Sequence, residues 1–393
     1  MKILSIETSC DETAISIVEA SGGLDSPSFI TLGNALYSQI ALHKEYGGVY
    51  PMLAKREHAK NLTPLLLKSL NDAGLLNSDT NNYTSDLWSK IEKILIREEG
   101  LYPLLKKSFE NIEKPDIDVI SVTSGPGLEP ALWVGISFAT ALGKLWNIPV
   151  IGVNHMEGHI ASVLVENNDK REIKFPALAV LISGGHTEIV KIESWGNYKV
   201  IGQTVDDAVG EAFDKVARLL GLPYPGGPEI SKLAEKAREL NLEHKAKLPR
   251  PMINSNNLNF SFSGLKTAVL YYIRDNFSGS FENMNEDDKS DLAREFEDAV
   301  IDVLKSKTEK ALEDYSTKTL IIGGGVIANK KIRDVFNNFE NIFNGLIIKT
   351  PERNLATDNS LMMAAAAYIN ICLYPEILRS EHKIIANGNL KFE

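Results

Sequence analysis

The segment KILSIETSCDETAISIV, residues 2–18, places two apolar strands, Lys2–Ile6 and Ala14–Val18, around a polar turn. A second segment, ALAVLISGGHTEIVKI at residues 177–192, repeats this order with the strands Ala177–Ile182 and Thr187–Ile192. Weak self-similarity of this kind predicts a duplicated architecture in which each half begins with a hairpin. We therefore expect two related lobes.

Strands and helical patterns alternate through the rest of the chain, which is typical of α/β layering. Further strands are predicted at Val119–Val122, Val150–Val153, Leu320–Ile322 and Leu346–Lys349. Helices are predicted at Glu57–Gly74, Val134–Trp146, Gly210–Gly221, Lys289–Tyr315 and Asn359–Ile371.

The domain boundaries follow from this order. We expect an N-terminal lobe at residues 1–150, completed by a C-terminal helix at residues 359–385, and a C-terminal lobe at residues 151–358. Residues 77–114 are interpreted as a helical insertion in the first lobe, with a helical pattern over Leu87–Glu110. Because this insertion contains no histidine, cysteine or glycine-rich turn, we expect it to be surface decoration without a catalytic role.

Composition sets further limits. The 393 residues can form two full cores, and 44% hydrophobic with 24% charged residues is normal for a soluble globular enzyme. The sequence has no apolar run of about 18 residues, so we expect no membrane span. It enters a strand at residue 2, so we expect no signal peptide. Two cysteines, Cys10 and Cys372, cannot form a disulfide framework. This favours a reducing, cytoplasmic location.

The net charge of −10 argues against nonspecific binding of nucleic acid by the whole surface. A local basic patch or a partner subunit would then be needed. The strongest local combination of basic and aromatic residues comprises Lys245, Lys247, Arg250, Lys266, Phe260 and Phe262, and a second candidate is Lys55 with Arg56.

The motif HMEGH at residues 155–159 is the most specific chemical signal. His155 and His159 are four residues apart, so on a helix they share one face and suit a first-row metal. Asp358, at the start of another helix, could supply an oxygen ligand and leave positions open for substrate. The alternative is two helix-face histidines with ordinary hydrogen bonds. The zinc-protease pattern HExxH is not matched, because Glu157 comes two residues after His155 and not directly after it. On a helix, Glu157 then lies roughly 200° around the axis from His155 and points away from the metal face.

The first polar turn carries three carboxylates, Glu7, Asp11 and Glu12. A plain hairpin would favour Asn-Gly, so this density of acids points beyond a simple turn. Carboxylates beside a phosphate site ordinarily act through a cation or a water.

Two glycine-rich turns follow buried strands, Ser183-Gly184-Gly185 and Gly323-Gly324-Gly325. Glycine lets backbone N–H groups approach an anion closely, although any tight hairpin can use it. Asn329, just after the second turn, is available to hydrogen-bond a ribose or base. Neither turn has the Rossmann spacing, and no Walker lysine motif occurs in the sequence.

Taken together, the motifs resemble those of the universal tRNA threonylcarbamoyladenosine transferases, the TsaD-type proteins formerly called O-sialoglycoprotein endopeptidases, in their bacterial form. The resemblance rests on residues 6–13, 46–49, 125–128, 155–159, 181–187, 206–215, 224–228, 260–267 and 323–329. It implies the two-lobed actin-like ATPase fold of actin, heat-shock chaperones and sugar kinases, an α/β fold in which each lobe is a mixed sheet with flanking helices.

The resemblance also implies an activity. A threonylcarbamoyl group would pass from threonylcarbamoyl-AMP to N6 of adenosine-37 in tRNAs that read codons beginning with A, and AMP would be released. One divalent metal per subunit, iron (Fe²⁺) or zinc, would be held by His155, His159 and Asp358. Asp11 and Glu12 would be the catalytic carboxylates. The adenylate would be bound by Leu181, Ile182, Ser183, Gly184, Gly185, Asp214, Gly227 and Asn329. Ser231 stands where many members have an aspartate, so we assign it no ribose contact.

The implied partners are tRNA, an inactive paralogue (TsaB-type) in a heterodimer, and a small P-loop ATPase (TsaE-type), with a homodimer when the paralogue is absent. Three other readings remain: a metalloprotease, a non-catalytic scaffold, and an ATP-hydrolysing chaperone or kinase of the same fold. The scaffold would lack the histidine pair, and the chaperone or kinase would not need it.

Overall fold

The computed structural model describes residues 1–77, 83–165, 169, 171–379 and 383–392. In these residues the strands are β1 Lys2–Glu7, β2 Glu12–Ser21, β3 Ser28–Ser38, β4 Val119–Gly125, β5 Val150–Asn154, β6 Ala177–Ile182, β7 Thr187–Ser194, β8 Asn197–Gln203, β9 Thr319–Gly323 and β10 Ile347–Lys349. The helices are α1 Ile40–His43, α2 Pro51–Asp72, α3 Ser85–Leu95, α4 Leu101–Phe109, α5 Glu129–Trp146, α6 His155–Ala161, α7 Val209–Leu219, α8 Gly226–Glu239, α9 Ser263–Asn276, α10 Glu286–Tyr315, α11 Lys330–Asn337, α12 Phe339–Ile342 and α13 Ser360–Leu373.

The strands form two sheets with the same topology. The first sheet has the order β3-β2-β1-β4-β5 and the second the order β10-β9-β6-β7-β8. In each sheet the first two strands pair antiparallel, with Ile3 opposite Val18 and Ala177 opposite Ile192. The fourth strand of each half then pairs parallel with the first. The expected duplication is confirmed, and each lobe is a mixed sheet with flanking helices, as in the actin-like fold.

Contacts divide the chain into two compact units. Unit 1 comprises residues 1–41, 49–168 and 358–393, and unit 2 comprises residues 42–48 and 169–357. The expected boundary at residue 150 is therefore wrong. Strand β5 pairs with β4 of the first sheet, and α6 directly continues β5, so the first unit extends well past this boundary.

Unit 1 owes its core to alternation along its strands. Leu4 and Ile6 of β1 are buried in one cluster with Leu62 of α2 and Leu142 of α5. In a strand, residues two apart share a face, which explains why these side chains meet the same helices. Strand β5, at one edge of this packed sheet, leads directly into α6.

Unit 2 has its own core around the second sheet. All six residues of β6 are buried, which matches its unbroken apolar sequence and its position between two neighbouring strands. Helix α10 supplies a long buried face that includes Phe296, which meets Phe213 of α7 edge-on with ring centroids 5.0 Å apart. These packed helices fix the carboxyl ends of β6 and β9.

The expected insertion at residues 77–114 is not surface decoration. Its helical pattern forms two helices, α3 and α4, because Gly100 adopts a left-handed conformation (φ 77°) between them. Trp88, Leu105 and Phe109 are all buried in the unit 1 core. The apolar stripes of both helices therefore belong to the core, and residues 78–82 of this segment lie outside the described residues.

The expected C-terminal helix at residues 359–385 is too long. Helix α13 ends at Leu373, and Pro375 begins a short 3₁₀ helix that runs to Arg379. Proline disfavours helical geometry in the residue before it, which explains the stop. Residues 380–382 of the expected helix lie outside the described residues. In the described part of the chain, we find no helix that is long and apolar enough to cross a membrane.

Candidate metal centre and nucleotide site

The two histidines lie on a short helix that begins at the end of β5. Asn154 caps α6, its side-chain oxygen accepting the Met156 N–H at 2.8 Å. One turn apart, the rings of His155 and His159 meet edge-on with centroids 4.7 Å apart. They are 5% and 1% exposed, respectively. Helix geometry and burial thus fix both imidazoles on one face of α6.

The glycine of the HMEGH motif lets α6 approach α13. A Cβ on Gly158 would lie 2.6 Å from Sδ of Met363 and 3.2 Å from Cγ of Met362. Asp358 comes immediately before Asn359, whose side chain caps α13 by accepting the Met362 N–H. The close packing of the two helices therefore carries Asp358 to the histidines.

The three expected metal ligands are brought together within unit 1. Their candidate ligand atoms all lie within 4.8 Å of one another. Oδ1 of Asp358 is 3.4 Å from Nε2 of His155 and 3.3 Å from Nε2 of His159. Tetrahedral zinc with bonds of about 2.0–2.1 Å would separate its ligand atoms by about 3.3–3.4 Å. The spacing therefore fits a metal at the centre of the three.

His159 supports the same fit. Both of its ring nitrogens are buried, and neither makes a hydrogen bond of acceptable geometry to any described residue, although Nε2 lies close to Asp358. A buried polar atom without a partner costs about 1–3 kcal/mol. Coordination of a cation through one of these nitrogens would remove part of that cost.

Glu7 holds His155 from the other side. Its Oε2 lies 3.2 Å from Nδ1 of His155, and Glu7 is itself fully buried at the end of β1. The Glu7 carboxylate also accepts the Ser9 N–H and the Thr123 hydroxyl. A carboxylate on the second nitrogen of a ligating histidine fixes the tautomer and orientation of the ring. The sequence marks Glu7 as acidic, but not this role.

Asp11 and Glu12 lie in the same acidic surroundings. Burial, Asp11 and Asp358 together raise the pKa of Glu12 well above its usual range, and the Ser38 hydroxyl donates to the Glu12 carboxylate at 3.2 Å. Burial alone would lower the pKa of His155, but Asp358 and Glu7 raise it well above its usual range. Negative charge therefore dominates this region, which favours a bound cation.

Glu157 has a different partner. Its carboxylate accepts a hydrogen bond from the Asn370 side-chain amide of α13 at 3.0 Å. It is not among the three residues whose ligand atoms converge. This arrangement agrees with the helix geometry expected from the sequence and gives no support to a zinc-protease base at this position.

The expected adenylate residues lie in unit 2, beginning at the end of β6. Leu181 and Ile182 are fully buried, so their side chains cannot meet a ligand. Ser183 closes the following turn, its N–H donating to the His186 carbonyl at 2.8 Å. Gly184 and Gly185 are exposed, with open space where a Cβ would stand. The accessible backbone of this turn is the part that suits an anion.

Asp214 and Gly227 are connected through the start of α8. Oδ1 of Asp214 accepts the Gly226 N–H at 2.7 Å, and Gly227 follows with open space at its Cα. Beside Asp214 is a cavity of about 320 Å³, also lined by Arg218 and Tyr224. Its volume lies in the range of small-molecule sites.

Asn329 completes this group at the N-cap of α11, six residues after the end of β9. Its Nδ2 donates to Oγ of Ser231 at 2.6 Å and to Oε1 of Glu297 at 2.7 Å. Ser231, to which the sequence assigned no contact, therefore touches an expected adenylate residue. Glu297 had no signal in the sequence, because its neighbours on α10 are a run of ordinary helix-forming residues.

The expected basic-aromatic patch does not form as predicted. Phe260 and Phe262 are fully buried and stack on each other within the unit 2 core, so neither can contact RNA. Arg250 is paired with the carboxylates of Glu295 and Asp302. The exposed members of the patch are Lys245, Lys247 and Lys266.

The chain is similar to known proteins over most of its length. The sequence model of the tRNA N6-adenosine threonylcarbamoyltransferase family (TsaD) matches residues 30–82 and 98–365. The tRNA N6-adenosine threonylcarbamoyltransferase of Burkholderia ambifaria is 39% identical over 97% of this chain and 96% of its own. That of Polynucleobacter asymbioticus is 42% identical over 94% of this chain and 92% of its own.

Among solved structures, the activator of the 2-hydroxyisocaproyl-CoA dehydratase from Clostridium difficile with bound ADPNP is similar, with a TM-score of 0.46 and 12% identity. This match covers 98% of this chain and 100% of that chain.

The sequence matches and the two units identify the chain as a two-lobed enzyme of the transferase class. The chain belongs to the tRNA N6-adenosine threonylcarbamoyltransferase family, as the match of its sequence to the family model and to full-length relatives shows. The expected recognition and fold class are confirmed, and the chain is a transferase that acts in tRNA processing.

Proposed function

We propose that this protein transfers the threonylcarbamoyl group of threonylcarbamoyl-AMP to N6 of adenosine-37 in tRNAs that read codons beginning with A, and releases AMP. The proposal is supported chiefly by the convergence of His155, His159 and Asp358 on one point in unit 1. It also draws on the exposed backbone of Gly184 and Gly185 and on the cavity beside Asp214 in unit 2.

The chain's own residues would bind and orient the reactants. Backbone N–H groups of Gly184 and Gly185 would hold the acyl phosphate, because the Ser183 N–H already donates to the His186 carbonyl. Asp214, Gly227 and Asn329 would hold the nucleoside. The N6 lone pair forms a bond to the carbamoyl carbon as the bond from that carbon to the phosphate oxygen breaks, and AMP leaves with the electron pair. Because the adenine amine is a poor nucleophile, positioning contributes much of the rate.

The proton lost from N6 must be accepted nearby. Asp11, Glu12 and the phosphate of the substrate are the candidates, and both carboxylates lie in the same acidic turn of unit 1.

One divalent metal, Fe²⁺ or zinc, would be held by His155, His159 and Asp358, with Glu7 orienting His155. When bound, it would supply electrophilic stabilisation of developing negative charge.

The same proposal includes the partners. The chain would act in the cytoplasm with a catalytically inactive paralogue (TsaB-type) in a heterodimer and with a small P-loop ATPase (TsaE-type), or as a homodimer without the paralogue. A surface with net charge −10 suits a protein that shares tRNA binding with partners.

The test measures metal content and AMP release in the purified protein. We expect about one metal per chain and release of AMP from threonylcarbamoyl-AMP only when tRNA is added. His155→Ala and His159→Ala should each lose most of the metal and all transfer while keeping the wild-type circular dichroism spectrum. Full metal content in either variant would refute the ligand assignment.

Glu157→Gln is the matched control. It alters a carboxylate on the same helix, but this carboxylate is bonded to Asn370, so metal content and most of the activity should remain. A loss as large as that of His155→Ala would reopen the protease reading. Release of AMP without tRNA would instead indicate a hydrolase.

A further inference from the structure

The side chain of Asn329 has both of its donors in use within the protein. One amide hydrogen goes to Ser231 on α8 and the other to Glu297 on α10. An asparagine amide has two N–H donors and one oxygen with two lone pairs. For a ligand, therefore, the donor side of Asn329 is already occupied.

The orientation of this amide is forced by chemistry. An ionised carboxylate can only accept hydrogen bonds, so Nδ2 and not Oδ1 must face Glu297. On the opposite side, Oδ1 accepts the Ile332 N–H at 2.9 Å and caps α11. Reversing the amide would break this cap and set two oxygens against each other.

Glu297 is well placed to impose this orientation. It is 1% exposed, and its second oxygen accepts a hydrogen bond from Arg238. Arg238 also donates to the neighbouring Asp298, so the guanidinium is clamped between two carboxylates. A buried carboxylate that is paired and fully hydrogen-bonded forms a rigid reference point, whereas an unpaired one would be strongly unfavourable.

We propose that Glu297 is a positioning residue that fixes Asn329 so that its carbonyl oxygen faces the bound nucleotide, and that the site therefore selects for a hydrogen-bond donor on the nucleoside. This inference rests on the proposed adenylate role of Asn329. Asn329 is half-buried, and its Oδ1, which accepts one hydrogen bond in the cap, has a second lone pair. The donor is either the 6-amino group of adenine or the 2′-hydroxyl of the ribose.

Binding of AMP, the proposed product, to the full-length protein tests the inference by calorimetry. In Glu297→Gln, the side-chain oxygen of the new glutamine should still accept the hydrogen bond from Arg238. The NH₂ group of the glutamine then faces Asn329 and forces the Asn329 amide to reverse. We expect AMP to bind about 3- to 10-fold more weakly, as loss of one hydrogen bond predicts. Asp298→Asn, which also removes a carboxylate from Arg238 but does not touch Asn329, should bind AMP like the wild type.

Two analogues identify the donor. Inosine monophosphate replaces the 6-amino group by an acceptor, and 2′-deoxy-AMP removes a hydroxyl. If the amino group is the donor, the preference for AMP over inosine monophosphate should shrink in Glu297→Gln. If the hydroxyl is the donor, the preference for AMP over 2′-deoxy-AMP should shrink instead. Wild-type preferences retained for both analogues would overturn the selection of a donor.

A double variant separates a positioning role from a purely structural one. Because Glu297 acts through Asn329, Glu297→Gln combined with Asn329→Ala should bind AMP like Asn329→Ala alone. Additive losses would overturn the inference. If Asn329→Ala binds AMP as tightly as the wild type, the proposed adenylate role of Asn329 fails instead. A weakened Asn329→Ala beside an unchanged Glu297→Gln leaves that role intact and refutes only the positioning.

If Glu297→Gln does not fold, an NMR measurement on the wild-type protein still tests the inference. In protein labelled with ¹⁵N-asparagine, the Asn329 side-chain NH₂ signal, assigned by its absence in Asn329→Ala, should exchange slowly with solvent. It should keep its position when AMP binds. A large shift of both NH₂ protons on AMP binding would show that the donors turn to the ligand, contrary to the proposal.

Discussion

The two ring nitrogens of His155 have separate tasks. Nε2 points toward Asp358 and the centre of the ligand cluster, while Nδ1 lies 3.2 Å from the Glu7 carboxylate and 3.3 Å from the Ser9 hydroxyl. This division keeps the ring in the orientation that a metal needs. Glu7 therefore supports the cluster by fixing the tautomer and orientation of His155.

Glu7→Gln should weaken metal binding without abolishing it. The amide can still approach Nδ1, but the negative charge that raises the basicity of the imidazole is lost. Loss of such a partner lowers metal affinity about 10–100-fold. Competition with a chelator of known affinity measures the change, with Glu157→Gln as the control. An unchanged dissociation constant in Glu7→Gln would show that Ser9 alone suffices to orient His155.

The sequence predicts the candidate metal ligands better than it predicts the residues that orient other side chains of the sites. His155, His159 and Asp358 belong to short motifs with recognisable spacing, so the sequence alone is enough to propose them. Glu7 and Glu297 act through contacts between residues 148 and 32 positions apart, respectively. Local spacing carries no information about such contacts, because they depend on how sheets and helices pack.

At the scale of elements, α3 lies where the match to the family model is interrupted. The family match is interrupted at residues 83–97, which contain α3, whereas α4 lies inside the match. Thr84 caps α3, and Trp88 meets Tyr83 and Tyr102 edge-on. Helix α3 is thus built into the core of unit 1.

Trp88→Ala should destabilise the protein substantially. Truncating a buried tryptophan removes apolar contacts and leaves a cavity, at a cost of roughly 3–5 kcal/mol. Chemical denaturation followed by circular dichroism measures the free energy of unfolding. Lys90→Ala, at an exposed ion pair with Asp86 on the same helix, should cost less than about 1 kcal/mol. Equal stability of both variants would restore the interpretation of this segment as surface decoration.

The helical periodicity of this segment is visible in the sequence, but the place of its apolar stripe is not. An apolar stripe on a helix predicts that this face packs against other residues, but it does not say which ones. Because the segment has no catalytic residues, the sequence alone favours a surface position for it. Only the packing of α3 and α4 with the unit 1 core shows the partner. By contrast, the duplicated hairpins are correctly predicted, because alternating apolar residues determine the strands directly.

On the scale of the whole molecule, charge limits how the chain meets its RNA substrate. A net charge of −10 repels phosphates at long range, so local lysines must provide the attraction. Lys245 and Lys247 are exposed in unit 2, while Arg250 beside them is paired with carboxylates. We therefore expect tRNA binding by the isolated chain to be weak.

The double variant Lys245→Glu, Lys247→Glu should weaken tRNA binding and flatten its dependence on salt. For each lysine that binds a phosphate, its removal should lower the slope of log affinity against log salt by roughly 0.7–0.9. Titrations at several salt concentrations measure it, with AMP binding unchanged. Lys90→Glu with Lys93→Glu, the same change of charge on α3, is the control. Equal slopes in both double variants would place the tRNA surface elsewhere, on a partner subunit or at Lys55 and Arg56.

The division of the chain into units has a consequence for biosynthesis. Unit 1 begins at the first residue but takes in residues 358–393, so the whole of unit 2 is made before it can be finished. On the ribosome, His155 and His159 emerge about two hundred residues before Asp358. The nascent protein can thus present two imidazoles to a metal, while the carboxylate that completes the cluster arrives only near the end of translation. Formation of the complete three-residue cluster is thereby coupled to completion of the polypeptide.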